Sequence, residues 1–398
     1  MAGWVSNLET ARNTLFGRYI HLAGSANKSR PASLIRYAHD LMRNITAEIL
    51  RSGGGLVLFA GREPLQKQGD AGSPALIFDW TTLETVAASA SHGRLPWPHT
   101  RPPIVVVTSE KAEKEIPENR RALWQSLLKS GLVRVEYIQP GARSGALLRE
   151  RQSQFGNVLI CVGGGTGVEH LADLYQARHR PVIPLDIALG ASRDDGIGGS
   201  ERMNSQARAN PNEFLRLRPE LAGGGSALLV AASSGNGFVP HEEVASSLMR
   251  LLAALDRPNA FYVRLLNNKV VEFQAVERYF REVVDPTVQR MGYRRLEMGT
   301  DPTEHGFVNV EIFERLHYCE LAIVDVTGLR PNCFIELGYA LGCGIPVVVT
   351  ANEGTTLPFD QNAIPCHFWR TEADVNGSLK SLFEFIEKNI GRPPLVSG

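Results

Sequence analysis

Two stretches of this chain carry residues whose types and spacing can do chemistry. The later one, Leu321 to Val349, reads LAIVDVTGLRPNCFIELGYALGCGIPVVV. An apolar strand run delivers Asp325 at its end, where ligands bind in open α/β sheets. The loop Thr327-Gly328-Leu329-Arg330-Pro331 follows, and Asn332 has N-cap chemistry for a helix opening at Cys333. Glu336 then falls within the first turn or just beyond it, where the helix dipole favours an ionised carboxylate. Asp325 and Glu336, meeting over one cleft, would suit glycosidic chemistry, whose transition state resembles an oxocarbenium ion. A Glu early in a helix is also a common stabilising choice, so the residues alone leave both meanings open.

The earlier stretch runs from the apolar strand Val158 to Val162 into Gly163-Gly164-Gly165-Thr166-Gly167-Val168-Glu169 and an amphipathic helix. Strand, Gly-rich turn and helix opening together make an anion site. Glycine lets the backbone approach a phosphate, and the unpaired N–H groups of the helix point at it with the positive end of the dipole. Thr166 adds a hydroxyl. A glycine cluster can also be only a tight turn, so the flanking strand and helix carry the reading. The spacing is neither G-x-G-x-x-G nor G-x-x-x-x-G-K-[ST], which supports neither a dinucleotide fingerprint nor a P-loop.

The elements that must position these residues alternate along the chain. Strand patterns at Tyr19–Leu22, Leu56–Phe59, Ile104–Thr108, Val133–Ile138, Val158–Val162 and Val182–Pro184 are interleaved with helical ones. The clearest helix is Ser33–Arg51, with Leu34, Tyr37, Leu41, Ile45 and Ile49 on one face. Asp256-Arg257-Pro258-Asn259 has turn chemistry, and after it the rhythm restarts with FYVRLL, a helix over 272–291, the strand ending at Asp325, a helix over 333–342, IPVVVT and a helix near 375–389. The expected fold class is α/β, with a Rossmann-like, mostly parallel-sheet unit over 1–255 and a smaller flavodoxin-like unit over 260–398.

Composition narrows the function. Lys plus Arg and Asp plus Glu both number 42, and a formal net charge of zero argues against a protein that coats nucleic acid. With 43% hydrophobic and 21% charged residues the chain can bury sizeable cores. No apolar run approaches the roughly 20 residues of a membrane span, and no secretory signal is visible, so a soluble cytoplasmic protein is expected. Five cysteines without a C-x-x-C pair argue against a disulfide framework or a zinc knuckle.

Residues 18–205 resemble the SLOG superfamily, the fold of the cytokinin-activating lysine-decarboxylase-like proteins and of the DprA/Smf DNA-processing proteins. The resemblance rests on an opening strand with Gly24-Ser25, the GGGTGVE block, RPVIPLD at 180–186 and GASRDDGIGGSERM at 190–203. Enzymes of that superfamily use a Glu of this block and an upstream Arg on a nucleoside 5′-monophosphate. Here the Thr falls one place early, which favours ligand sensing over catalysis. The resemblance implies a signal-nucleotide site of Gly24, Ser25, Gly163, Gly164, Gly165, Thr166, Glu169 and Arg202, with Arg143, Arg149 and Arg193 as further phosphate candidates.

Residues 260–390 resemble the nucleoside 2-deoxyribosyltransferase-like superfamily and its defence relatives, through D-x-T-G, P-N, E-L-G-Y-A and G-x-P-V at fixed spacing. TIR domains share the layout and also use a Glu, against the nicotinamide glycosidic bond of NAD. The resemblance implies Glu336 as nucleophile with Asp325 and Asn332 in support. It places Leu265, Asn267, Thr327, Gly328 and Tyr339 around the substrate. Together the two resemblances imply an N-glycosidase of bacterial antiphage immunity. It would cleave NAD or a (deoxy)nucleotide as substrate, would be activated by a cyclic or ADP-ribose-derived nucleotide and would need no metal or cofactor. A homo-oligomer or filament is expected, with no membrane and no nucleic-acid partner. The competing expectations are a non-catalytic nucleotide-binding scaffold and a phosphoribohydrolase working through the N-terminal half.

Overall fold

The structure is a computed structural model that describes residues 15, 17–70, 72–93, 95, 101–139, 141, 144–190, 198–232, 239–297, 308–358 and 364–390. The chain divides into two compact units, Met1–Asp256 and Arg257–Gly398.

The first unit is built on a six-stranded sheet. Its strands are β1 (Tyr19–Ser25), β2 (Gly55–Leu58), β3 (Ile104–Thr108), β4 (Val133–Tyr137), β5 (Val158–Gly163) and β6 (Val182–Leu185). They lie in the order β4-β3-β2-β1-β5-β6, and every pairing is parallel. Strands β2, β3, β5 and β6 are buried along their whole length, as expected where helices cover both faces of a parallel sheet. The order reverses between β1 and β5, so the loops leaving these two strands diverge and open a crevice.

The long helix Ala32–Arg51 packs on this sheet through Ile35, Ala38, Leu41, Met42, Ile45 and Ile49. Its buried face is rotated from the expected one: Leu34 and Tyr37 sit at the half-buried edge, while Ile35 and Ala38 take the centre. Helices that periodicity did not announce also belong to this unit, among them Asp79–Ser91, Ser144–Phe155, Gly199–Ala209 and Gly225–Ala231.

The second unit carries a five-stranded sheet: β7 (Asn259–Val263), β8 (Arg294–Glu297), β9 (Leu321–Asp325), β10 (Val347–Asn352) and β11 (Cys366–Trp369). The order β11-β10-β9-β7-β8, all parallel, is the flavodoxin-like winding, with its switch point between β7 and β9. The expected helix over 272–291 is present as Phe273–Arg290, but its middle turn, Phe280–Val284, widens to a π-helix. Pro286 has no N–H to give to the preceding turn, and such widening is one way to absorb the misfit. Thr287 Oγ1 donates to the Val283 carbonyl at 2.7 Å.

Candidate nucleotide sites

At the first switch point lies a cleft of about 440 Å³, inside the roughly 300–1,000 Å³ range of small-ligand pockets. Gly24 and Ser25 at the end of β1 form its base, together with His21 and Ala23. A Cβ at Gly24 would lie 1.9 Å from the Val162 carbonyl oxygen, so only glycine lets β1 and β5 meet here. Gly163 and Gly164 adopt φ of +67° and +79°, and the Gly164 N–H donates to the Ser25 carbonyl at 2.8 Å. The two buried glycines turn the chain and shape the backbone beneath the cleft. Gly165 caps the helix Thr166–Gln176 without any side-chain hydrogen bond, leaving the N–H groups of Thr166 and Gly167 for a ligand while that of Val168 donates to the Gly165 carbonyl at 2.9 Å. Gly165, exposed Thr166 and Gly167 line the cleft at this helix start.

Arg149, on the helix Ser144–Phe155, lines the same end of the cleft. Its Nε donates to His170 Nδ1 at 2.9 Å, which makes Nδ1 the acceptor and places the neutral ring proton on Nε2. Its guanidinium passes over Gly167, where a Cβ would stand 3.4 Å from Nη1. Burial lowers the pKa of Arg149, and no carboxylate among the described residues answers it. A cation beside the positive end of a helix dipole is a mutually repelling pair that an anion between them would stabilise.

Two of the expected signal-site residues face elsewhere. Glu169 and Arg202 pair with each other, Nε to Oε1 at 2.7 Å, and neither lines the cleft. Glu169 lies on the side of its helix turned to Gly199, whose Cβ would sit 3.1 Å from the Glu169 Cγ. Arg143 and Arg193 lie outside the described residues. The far end of the cleft holds two residues that the sequence reading missed, Phe59 and Asp79. Asp79 opens the helix Asp79–Ser91, and its Oδ1 accepts the Phe59 N–H at 2.9 Å. Burial raises its carboxyl to about 6. An acid in a first helical turn is too common to have flagged it.

The second unit places its residues less as expected. Asp325 ends β9 but is fully buried. Its Oδ1 accepts the Thr327 N–H at 3.1 Å, and its Oδ2 accepts Thr350 Oγ1 at 2.7 Å and Trp369 Nε1 at 2.9 Å. Burial raises its pKa, and these bonds oppose the shift. With both oxygens engaged, Asp325 ties together the ends of β9, β10 and β11 and does not present itself to a substrate. Thr327 is buried as well, its Oγ1 accepting the Asn352 N–H at 2.8 Å. Gly328 and Leu329 then take φ of +74° and +50°, a tight turn into the next helix.

That helix is Pro331–Gly342, capped by Arg330 and not by Asn332. Proline takes the first helical position, where its missing N–H costs nothing. Asn332 is exposed at the second position. Glu336 therefore lies in the second turn, half-buried, and burial raises its carboxyl to about 7. The expected dipole stabilisation of the ionised form fades within one turn, and desolvation wins. Asn332 and Glu336 share a helix stripe four residues apart. Burial lifts the Cys333 thiol to about 12, and the charges of Glu336 and Asp325 both add to the rise.

Leu265 is a core residue, and Tyr339, partly exposed, packs against the neighbouring helix. Leu265 sits in the cluster with Tyr262 and Val276. The Tyr339 ring centroid lies 4.9 Å from that of Phe313, and its hydroxyl meets His317 Nδ1 at 3.0 Å. Asn267 is exposed, and its Oδ1 accepts the Lys269 N–H at 3.0 Å. Among the described residues no group of three His, Cys, Asp or Glu side chains can hold a metal ion. No described helix is long and apolar enough to cross a membrane.

A parallel, Rossmann-like α/β unit with an anion-receptive cleft at its switch point is the class that fold and site define. Within that class, residues 15–228, more than half of the chain, match the family described as ATP nucleosidase Cap17-like, N-terminal, and the chain belongs to it. The ATP nucleosidase Cap17 of Escherichia coli strain KTE188 is 30% identical over 181 residues, 45% of this chain and 34% of that protein. A second Escherichia coli sequence of the same name matches with the same identity and coverage. The chain thus spans about a third of the length of the curated relatives it matches. Among solved structures, the Clostridium botulinum CMP N-glycosidase BcmB superposes with a TM-score of 0.22 at 16% identity, covering 31% of this chain and 97% of that one. DNA processing protein A of Helicobacter pylori gives 0.31 at 16% identity, covering 50% and 76%. Superpositions this slight carry no argument.

Proposed function

We propose that this protein is an N-glycosidase acting on a nucleotide in antiphage defence, with the N-terminal cleft as receptor for a nucleotide signal and Glu336 as the cleaving group. The observation that carries the second half is Glu336 itself. It is a half-buried carboxyl near the start of the helix that follows the β9 switch-point loop, raised to about 7, and no described residue hydrogen-bonds or ion-pairs with it. The ionised carboxylate attacks the anomeric carbon. The carbon–nitrogen bond breaks, its electron pair leaves with the base, and the base takes a proton from solvent. Water then hydrolyses the glycosyl ester and returns free Glu336. Asn332, one turn earlier on the same stripe, is placed to bind the sugar, and buried Asp325 positions the loop leading to this helix.

The name of the Escherichia coli relatives, ATP nucleosidase, supports a nucleotide as substrate, and ATP joins NAD and the deoxynucleotides as candidates. Assembly into a homo-oligomer or filament belongs to the same proposal. A second reading has one observation in its favour. Asp79, a carboxyl at about 6, lines the cleft of the unit that carries the family match, so turnover there would make the N-terminal unit the nucleosidase.

The test incubates the full chain with ATP, NAD and deoxynucleotides, with and without cyclic or ADP-ribose-type nucleotides, and follows base release by chromatography. Release by wild type and by Asp79→Asn, but not by Glu336→Gln, is the expected result. Release that survives Glu336→Gln and disappears in Asp79→Asn transfers catalysis to the N-terminal cleft.

A further inference from the structure

The N-terminal cleft has two chemically different ends, and only one of them suits phosphate. Arg149 and the helix start at Gly165–Gly167 form the first end, Phe59 and Asp79 the second. We infer that Phe59 and Asp79 form a base-reading end, so that the cleft selects nucleotides whose base carries an exocyclic amino group. This rests on the reading that the cleft holds a nucleotide by its phosphate at Arg149.

Spacing favours the base over the sugar. The helix start follows β5 and Phe59 follows β2, while β1 lies between and pairs with both. Two inter-strand steps are about 10 Å. That is the reach from a 5′-phosphate to the base of an extended mononucleotide, and it overshoots the ribose hydroxyls. Gly24 and Ser25, at the end of the intervening strand, lie where the sugar would pass.

Chemistry favours an amino group. The donors to Asp79 among the described residues are backbone amides, those of Phe59 and of Asp79 itself. Among the described residues no side chain and no cation answers this carboxylate, although its two oxygens can accept about four hydrogen bonds. An ionised carboxylate only accepts, so it matches the N–H of an adenine or cytosine amino group and repels the carbonyl of hypoxanthine or uracil. Phe59 supplies an apolar ring at the same end, held over Gly61, where a Cβ would strike the ring at 2.6 Å. An aromatic face beside a polar reader is the usual way a protein grips a splayed base.

The experiment is a calorimetric titration of the full chain with AMP, CMP, IMP and UMP. Wild type should bind AMP and CMP at least about tenfold more tightly than IMP and UMP. Asp79→Asn keeps the Phe59 bond through its carbonyl oxygen and replaces an acceptor with a donor. It should weaken AMP and CMP by about tenfold to a hundredfold while IMP and UMP hold or gain. An unchanged preference in Asp79→Asn, or an equal loss for all four ligands at an unchanged melting temperature, overturns the inference. Arg149→Ala separates the two layers, because it should weaken all four alike. If it weakens none, or if wild type binds none, the phosphate reading itself falls.

Discussion

A carboxyl held at about 7, as burial holds that of Glu336, changes charge in the range where cells work. If the ionised form is the nucleophile, kcat/KM for base release rises as pH climbs through about 7 and then levels off. A profile flat from pH 6 to 8 would remove Glu336 from that role. The same shift has a stability signature of opposite sense. The folded state binds this proton more tightly than the unfolded chain, so the contribution is full below the ordinary glutamate range and lost as pH rises through about 7. Glu336→Gln, which cannot ionise, should therefore gain in melting temperature over wild type at pH 8 relative to pH 5. Asp325→Ala acts differently, because it leaves Trp369 Nε1, Thr350 Oγ1 and the Thr327 N–H without their acceptor. A loss of about 1–3 kcal/mol per stranded group is expected in urea unfolding. Residue types along LAIVDVTGLRPNCFIELGYA made the acids legible, but burial belongs to the third dimension. Asp325 looked like a partner for substrate until Trp369, 44 positions away in sequence, was found on its oxygen.

The elements were legible where the pattern is strong. Ile104–Thr108 is the strand that its β-branched run announces, and the last helix, Val375–Asn389, falls where the periodicity places it. The helix Asp79–Ser91 was not, because its buried side is Trp80, Thr81, Thr82, Leu83 and Val86 and the rest is largely alanine and polar residues. Without a contrast between faces, the 3.6-residue period has nothing to report. That helix carries Asp79, so one missed element hid one end of the cleft. Glycines at element junctions offer the sharpest test. Gly24→Ala puts a methyl against the Val162 carbonyl and should cost about 1–3 kcal/mol or more, with loss of nucleotide binding. Gly223→Ala, with nothing within 4 Å, should be close to neutral in the same melting assay.

Across the whole molecule, two parallel sheets with separate switch points stand in one chain, and the turn at Asp256-Arg257 marks their division. The zero net charge of the chain divides unevenly, with 28 Lys and Arg against 24 Asp and Glu in the first unit and 14 against 18 in the second. The family match covers most of the first unit and ends at residue 228. In the proposed division of labour, Arg149→Ala abolishes stimulation by the signal nucleotide while the unstimulated rate remains. Loss of both rates together would assign the first unit to catalysis. The most direct measurement is base release from ATP, NAD and deoxynucleotides by the purified full chain, with Glu336→Gln run beside it. Release by the wild-type protein alone is the expected result. Equal release by Glu336→Gln would contradict it.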